Sequence, residues 1–86
     1  MNINELTEIV KKKLKKNIEI SSINVEDKSF LHKHHSGNEK GKFHLKIIIK
    51  SSELKKLGKI ESTKRVYKSL DQELKDHIHS IQILIL

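Results

Sequence analysis

Phe43-His44-Leu45-Lys46-Ile47-Ile48-Ile49-Lys50 is the stretch from which the rest of the chain can be read. Phe43, Leu45, Ile47 and Ile49 alternate with His44, Lys46, Ile48 and Lys50, so the period is two and one face is apolar throughout. That pattern predicts a strand with a buried side. Upstream, residues 27–42 are polar, hold two of the three glycines and show no period, which predicts a loop. Before the loop, Ser22-Ile23-Asn24-Val25-Glu26 alternates again. Two strands separated by one long loop predict an antiparallel pair.

The segments outside this pair read as helices and one more strand. At the N-terminal side, Ile3, Leu6, Val10, Leu14 and Asn17 recur at helical spacing, with Ile9 widening the stripe. Asn2 followed by Glu5 has the spacing of a capping box, and Asn4 is an alternative cap. Lysines 11, 12, 13, 15 and 16 complement the helix dipole, and a solvated helix end explains them without any function. After the second strand, Ser51-Ser52-Glu53 predicts a cap, a helical turn over 53–57 and a stop at Gly58. Thr63, Val66, Tyr67, Leu70, Leu74 and His77 then predict one helix over 62–75. His79, Ile81, Ile83 and Ile85 alternate with Ser80, Gln82, Leu84 and Leu86, which predicts a third strand. The expected fold class is α+β: a single compact domain over residues 1–86, in the order α-β-β-α-α-β. Its three-stranded mixed sheet carries helices on one face, and the last strand runs parallel to an earlier one.

Length and composition limit the function. Eighty-six residues allow one domain with a modest core, about 60–65% of the unfolded surface being buried at this size. No Cys, Pro, Trp or Ala is present, so packing alone holds the fold, without disulfides. The longest apolar runs are far short of a membrane span, and residues 1–5 lack a signal-peptide start. The expectation is a cytoplasmic protein without membrane association. The formal charge is +7, but Arg65 is the only arginine among eighteen basic residues. Richness in Lys, Ile and Asn is what A+T-rich coding would impose, whereas a phosphate-reading face favours Arg. Compositional drift and a functional basic face both remain open.

Chemistry concentrates in the histidines. His32, His34 and His35 crowd the loop, His44 lies in the second strand, and His77 and His79 flank Ile78. Without thiols, imidazoles are the only borderline-soft ligands available. No His or carboxylate spacing here completes a tetrahedral zinc site, so a closed metal centre within one chain is not expected. A shared site remains open, with imidazoles from this chain and thiolates from a partner, as is the histidine and cysteine donor set of Rieske clusters. A polar loop that merely tolerates histidines is the bland alternative. No nucleophile context and no Gly-rich phosphate cradle is present, and Asp71, Glu73 and Asp76 read as solvent-facing on one helix. The chain is expected not to be an enzyme.

Taken in order, these segments resemble the BolA family. Val25-Glu26-Asp27-Lys28-Ser29, the His-bearing loop and His44-Leu45-Lys46-Ile47-Ile48-Ile49-Lys50-Ser51 are similar to that family's first two strands. Val66-Tyr67, Leu70 and Glu73-Leu74 resemble its third helix, and Ile78-His79-Ser80-Ile81 its closing Ile/Val-His-Ala-Leu signature. Two departures stand out: Ser62-Thr63-Lys64 replaces a usual Arg-His-Arg triplet, and Leu45 replaces the Phe after the strand histidine.

The resemblance implies a class II KH-like fold. It also implies an adaptor that forms a heterodimer with a monothiol glutaredoxin and shares a glutathione-ligated [2Fe–2S] cluster, in iron–sulfur trafficking or iron sensing. His79 would be one iron ligand and a loop histidine the other; His32 fits best, with His34 and His35 as competitors. Glutaredoxin and glutathione would supply the thiolates, so the isolated chain would bind no cluster, staying a monomer or weak homodimer. His44, in a strand, reads as a structural hydrogen-bonding residue. The alternative is a KH-like transcriptional regulator contacting DNA phosphates through Lys55, Lys56, Lys59, Lys64, Arg65 and Lys68. Against it, glycines 37, 41 and 58 contain no Gly-x-x-Gly pair. The last strand ends without charge and would offer a pairing edge unless the first helix covers it.

Overall fold

The structure, a computed structural model, describes residues 2–29 and 42–86. His32, His34 and His35 lie outside the described residues. The elements run α1 (Ile3–Asn17), β1 (Ser22–Asp27), β2 (Phe43–Lys50), α2 (Ser52–Leu57), α3 (Lys59–Ser69), α4 (Asp71–Asp76) and β3 (Ile78–Ile85).

The sheet has the order β1-β2-β3, with β1 antiparallel and β3 parallel to the central β2. Registry places Ile23 and Val25 of β1 and Ile83 and Ile85 of β3 against Ile49 and Ile47 of β2. These side chains share one face. Leu6, Val10 and Leu14 of α1, Leu54 of α2, and Val66 and Leu70 from α3 and its end pack there with Leu45, Ile47 and Ile49. The helices therefore cover one side of the sheet, an arrangement compatible with a class II KH-like fold. His44, Lys46 and Ile48 of β2 line the other side, with Ser80, Gln82 and Leu84 beside them on β3.

The helix caps follow from the sequence. Asn2 Oδ1 accepts the Glu5 N–H at 2.9 Å, and its amide reaches back to Glu5 Oε1 at 3.2 Å, so Asn2 rather than Asn4 starts α1. Ser51 Oγ caps α2 by accepting the Leu54 N–H, while its hydroxyl donates to the Glu19 carbonyl at 2.6 Å. This buried serine thus ties the end of β2 to the approach to β1. Gly58 has φ +81°, a conformation that suits glycine, and breaks α2 from α3.

The helix expected over 62–75 is instead two helices. α3 starts three residues earlier, at Lys59, and the backbone leaves helical geometry at Leu70 before α4 begins. The buried positions are Ser62, Val66, Leu70 and Glu73, a stripe rotated from the expected one, and Tyr67 is 42% exposed. Ser62 fits because it is small and its hydroxyl donates to the Lys59 carbonyl at 3.0 Å. Glu73, expected at the surface, is buried. Its Oε2 accepts from Lys13 Nζ of α1 at 2.5 Å, while Oε1 is buried with no hydrogen-bond partner among the described residues. One lysine of the basic run therefore has a structural task.

Truncating Lys13 would leave a buried carboxylate with neither oxygen paired. Lys13→Ala should cost about 1–2 kcal/mol in urea unfolding, less than a fully enclosed pair because Lys13 is partly exposed. Adding Glu73→Leu should recover part of that loss. Equal stability of Lys13→Ala and the parent protein would show that the pair contributes nothing.

Candidate functional site

The site grows from the irregular start of the β2–β3 ladder. Phe43 pairs with Ile78, but the next residue, His44, pairs with Ser80, so His79 is an extra residue on β3. A bulge of this kind re-aims a side chain. Ile78 stays in the core at 2% exposure, whereas His79 and Ser80 are both exposed and only Ile81 resumes the inward face. Strict alternation had put His79 on the face of Ile81, Ile83 and Ile85; the bulge places it outside. Its ring centroid lies 4.8 Å from that of His44, with the planes tilted by 48°.

His44 is fixed from several sides. It is 6% exposed, and its Nδ1 shares a hydrogen bond of 2.7 Å with Ser80 Oγ. Its backbone N–H donates to Ser29 Oγ at 3.0 Å and its carbonyl accepts the Lys28 N–H at 2.7 Å. Ser29 is held in turn, because Asp27 Oδ1 accepts the Ser29 N–H at 2.9 Å. The Asp-Lys-Ser step of the sequence is therefore a clasp that carries the chain from β1 onto the His44 peptide. The structural reading of His44 is supported by these bonds, and its place beside His79 was not legible from spacing. A depression of about 210 Å³ opens along the same row, lined by Lys28, His44, Lys46, Ser80 and Gln82 among others.

The donor chemistry is limited and specific. His79 is an exposed imidazole at the start of β3, and the sequence has no thiol to add to it. Among the described residues no group of three His, Asp or Glu side chains could close around a metal ion. At this place the described residues offer one exposed imidazole, His79, beside a buried one, His44. The six basic candidates lie elsewhere. Lys55 and Lys56 are on α2 and Lys59, Lys64, Arg65 and Lys68 on α3, and all six are exposed. Arg65 pairs with Glu53 at 3.1 Å and Lys64 approaches Glu61 at 3.9 Å, so part of that charge is spent internally.

A family model described as BolA-like protein matches residues 14–86. The chain belongs to the BolA-like family. It is 28% identical over 78 residues to a Haemophilus influenzae protein named DNA-binding transcriptional regulator BolA, covering 91% of this chain and 73% of that protein. Among solved structures, the BolA domain of SufE1 from Arabidopsis thaliana superposes with a TM-score of 0.78 at 22% identity, over 99% of this chain and 92% of that one. BolA1 from the same plant gives 0.75 at 23% identity, over 92% and 87%. At these identities the structural likeness shows the fold of this BolA-like chain, a small α+β domain with a three-stranded mixed sheet. No helix among its described residues is long and apolar enough to cross a membrane.

The Ser80 hydroxyl stands where the family signature has Ala, and it meets the His44 ring. Ser80→Ala should change the His44 imidazole tautomer balance, read from ring ¹⁵N shifts, at a stability cost of about 1 kcal/mol. Unchanged ring shifts would show that Ser80 does not set the state of His44.

Proposed function

We propose that this BolA-like protein is a non-catalytic adaptor that forms a heterodimer with a monothiol glutaredoxin and shares with it a glutathione-ligated [2Fe–2S] cluster, in cluster trafficking or iron sensing. The observation that carries the reading is His79: an imidazole turned out of the core by a bulge, exposed, and set against a buried, hydrogen-bonded His44. An exposed ligand on a strand serves a centre completed by another molecule, and an all-imidazole chain calls for thiolates from that molecule. The cluster is the cargo of the pair and would supply electron-accepting iron. His79 would hold one iron through a ring nitrogen, and the packing of His44 would limit the rotamers His79 can take. The second imidazole would come from the loop, with His32 as first candidate and His34 and His35 as competitors. The reading places the protein in the cytoplasm.

Titrating the protein with a [2Fe–2S]-loaded monothiol glutaredoxin and glutathione should give a new visible circular-dichroism spectrum and a heterodimer on gel filtration. His79→Ala should abolish the new spectrum, and His32→Ala should weaken it. No complex and an unchanged spectrum would end this reading.

A second reading has its own observation. The similar Haemophilus influenzae protein is named a DNA-binding regulator, and Lys55, Lys56, Lys59 and Lys68 are exposed with no ion pair within 4.0 Å among the described residues. Here α2 and α3 would lie against the phosphate backbone. Four phosphate contacts predict a slope of about −3.6 in log K against log salt, and Lys55→Ala with Lys59→Ala should reduce it by about two. Binding that ignores salt would exclude a phosphate-contacting role for these lysines.

A further inference from the structure

The outer side of β3 is open. The strand is eight residues long, contains no Asp, Glu, Lys, Arg or Pro, and has β2 as its only neighbour in the sheet. Its bulge sits at the beginning, so the half from Ile81 onward is regular and nothing in it blocks a further strand. The Leu86 N–H donates to the Ile49 carbonyl at 2.8 Å, so Gln82, Leu84 and Leu86 turn their main-chain groups toward β2. Alternation turns those of Ile81, Ile83 and Ile85 outward. Among the described residues no other backbone group bonds to them. Helix α1 makes its main contacts with β1 and α3, not with β3.

A groove of about 370 Å³ lies beside the far half of this edge. Ile83 and Ile85 line it from the sheet, and Leu54, Lys55, Lys59 and Ser62 from the α2–α3 corner. Leu54 and Ser62 are buried, whereas Lys55 and Lys59 are exposed and form no ion pair among the described residues. No Asp or Glu lines the groove. Its end of the strand is remote from the imidazoles: about 20 Å of extended chain separates Ile85 from His79.

Edge and groove ask for the same ligand. An extended peptide repeats a donor and an acceptor at the period of Ile81, Ile83 and Ile85, and main-chain pairing of this kind supplies affinity while side-chain pockets supply choice. Peptide side chains beside Ile83 and Ile85 point to the helix side of the sheet, into the groove. An apolar one there meets Ile83, Ile85 and Leu54, and an acidic one reaches Lys55 or Lys59. A phosphodiester backbone accepts hydrogen bonds but donates none, so it would leave the three outward carbonyls unpaired. No aromatic residue lines the groove to stack on a base. The net charge of +7 disfavours a second copy and favours an acidic partner.

We propose that the outer edge of β3 and the groove beside it bind an extended acidic peptide segment of another protein, which adds a fourth strand to the sheet. The segment carries an apolar and an acidic residue two positions apart, both directed to the helix side. Bound there, it leaves His79 open.

The test uses the full chain without cluster or glutaredoxin, so its result stands apart from that of the cluster titration. The probe is an end-capped, fluorescein-labelled peptide of about eight residues, with threonine at every second position and valine and glutamate taking turns at the others. Fluorescence anisotropy should show saturable binding below about 500 µM. In ¹H–¹⁵N spectra the amides of Ile81, Ile83 and Ile85 should shift more than those of Gln82 and Leu84, which already face β2. N-methylating one alternate set of peptide residues should weaken binding at least about tenfold, and N-methylating the other set should be tolerated. Lys55→Glu with Lys59→Glu should weaken it at least about tenfold, and a peptide with lysine in place of glutamate should bind that double variant again. No binding at about 1 mM peptide would overturn the proposal, as would equal affinity for the two N-methylated peptides. A single-stranded oligonucleotide of about eight nucleotides that displaces the peptide and binds more tightly would also overturn it, assigning the groove to nucleic acid.

Discussion

Parallel pairing of β2 with β3 requires the chain to travel from the end of one strand back to the start of the other, and α2, α3 and α4 span that distance. The return sets most of what is distinctive here. It places the helices over the face of Leu45, Ile47 and Ile49, which become the centre of the core. It leaves the opposite face of the sheet to His44, Lys46 and Ile48. It also sends β3 to an edge, with the unregistered residue, His79, at its beginning. Core, open face and edge all depend on this one ladder.

The strands and caps were legible because their signals are local. β2 alternates cleanly, Asn2 and Glu5 have capping spacing, and Ser51 and Gly58 bracket α2 as their chemistry predicts. The α3–α4 region was less legible because two of its buried positions are polar. Ser62 answers its hydroxyl within its own helix, and Glu73 finds Lys13 on a helix 60 residues away. A hydropathy stripe cannot register either, so it shifted toward Tyr67. The bulge at His79 was hidden for a related reason: alternation counted from residue 79 onward is correct for Ile81, Ile83 and Ile85, and nothing in Ile78-His79-Ser80 marks an extra residue. Only registry against β2 shows it.

Two histidines in this chain illustrate how environment separates roles that composition cannot. His44 is buried, bonded through its ring to Ser80 and through its backbone to Lys28 and Ser29. His79, its ring neighbour, is exposed. One is anchored and the other is presented, and the anchored ring forms part of the wall against which the presented one rests. The basic residues divide similarly: Lys13 and Arg65 neutralise particular carboxylates, while Lys55 and Lys59 stand beside the β3 groove. A count of positive charges treats these as equivalent, and the structure does not.

The two ladders of the sheet also differ in how much chain they close. β1 and β2 are consecutive in the order of the described elements and pair antiparallel. β3 pairs with β2 across the three helices that lie between them in the chain, so this ladder closes a longer stretch of chain than the β1–β2 ladder does. His44 and Ser80 meet across the β2–β3 seam, and so do His44 and His79. The imidazole pair is therefore absent from any form of the chain in which β3 is not paired with β2.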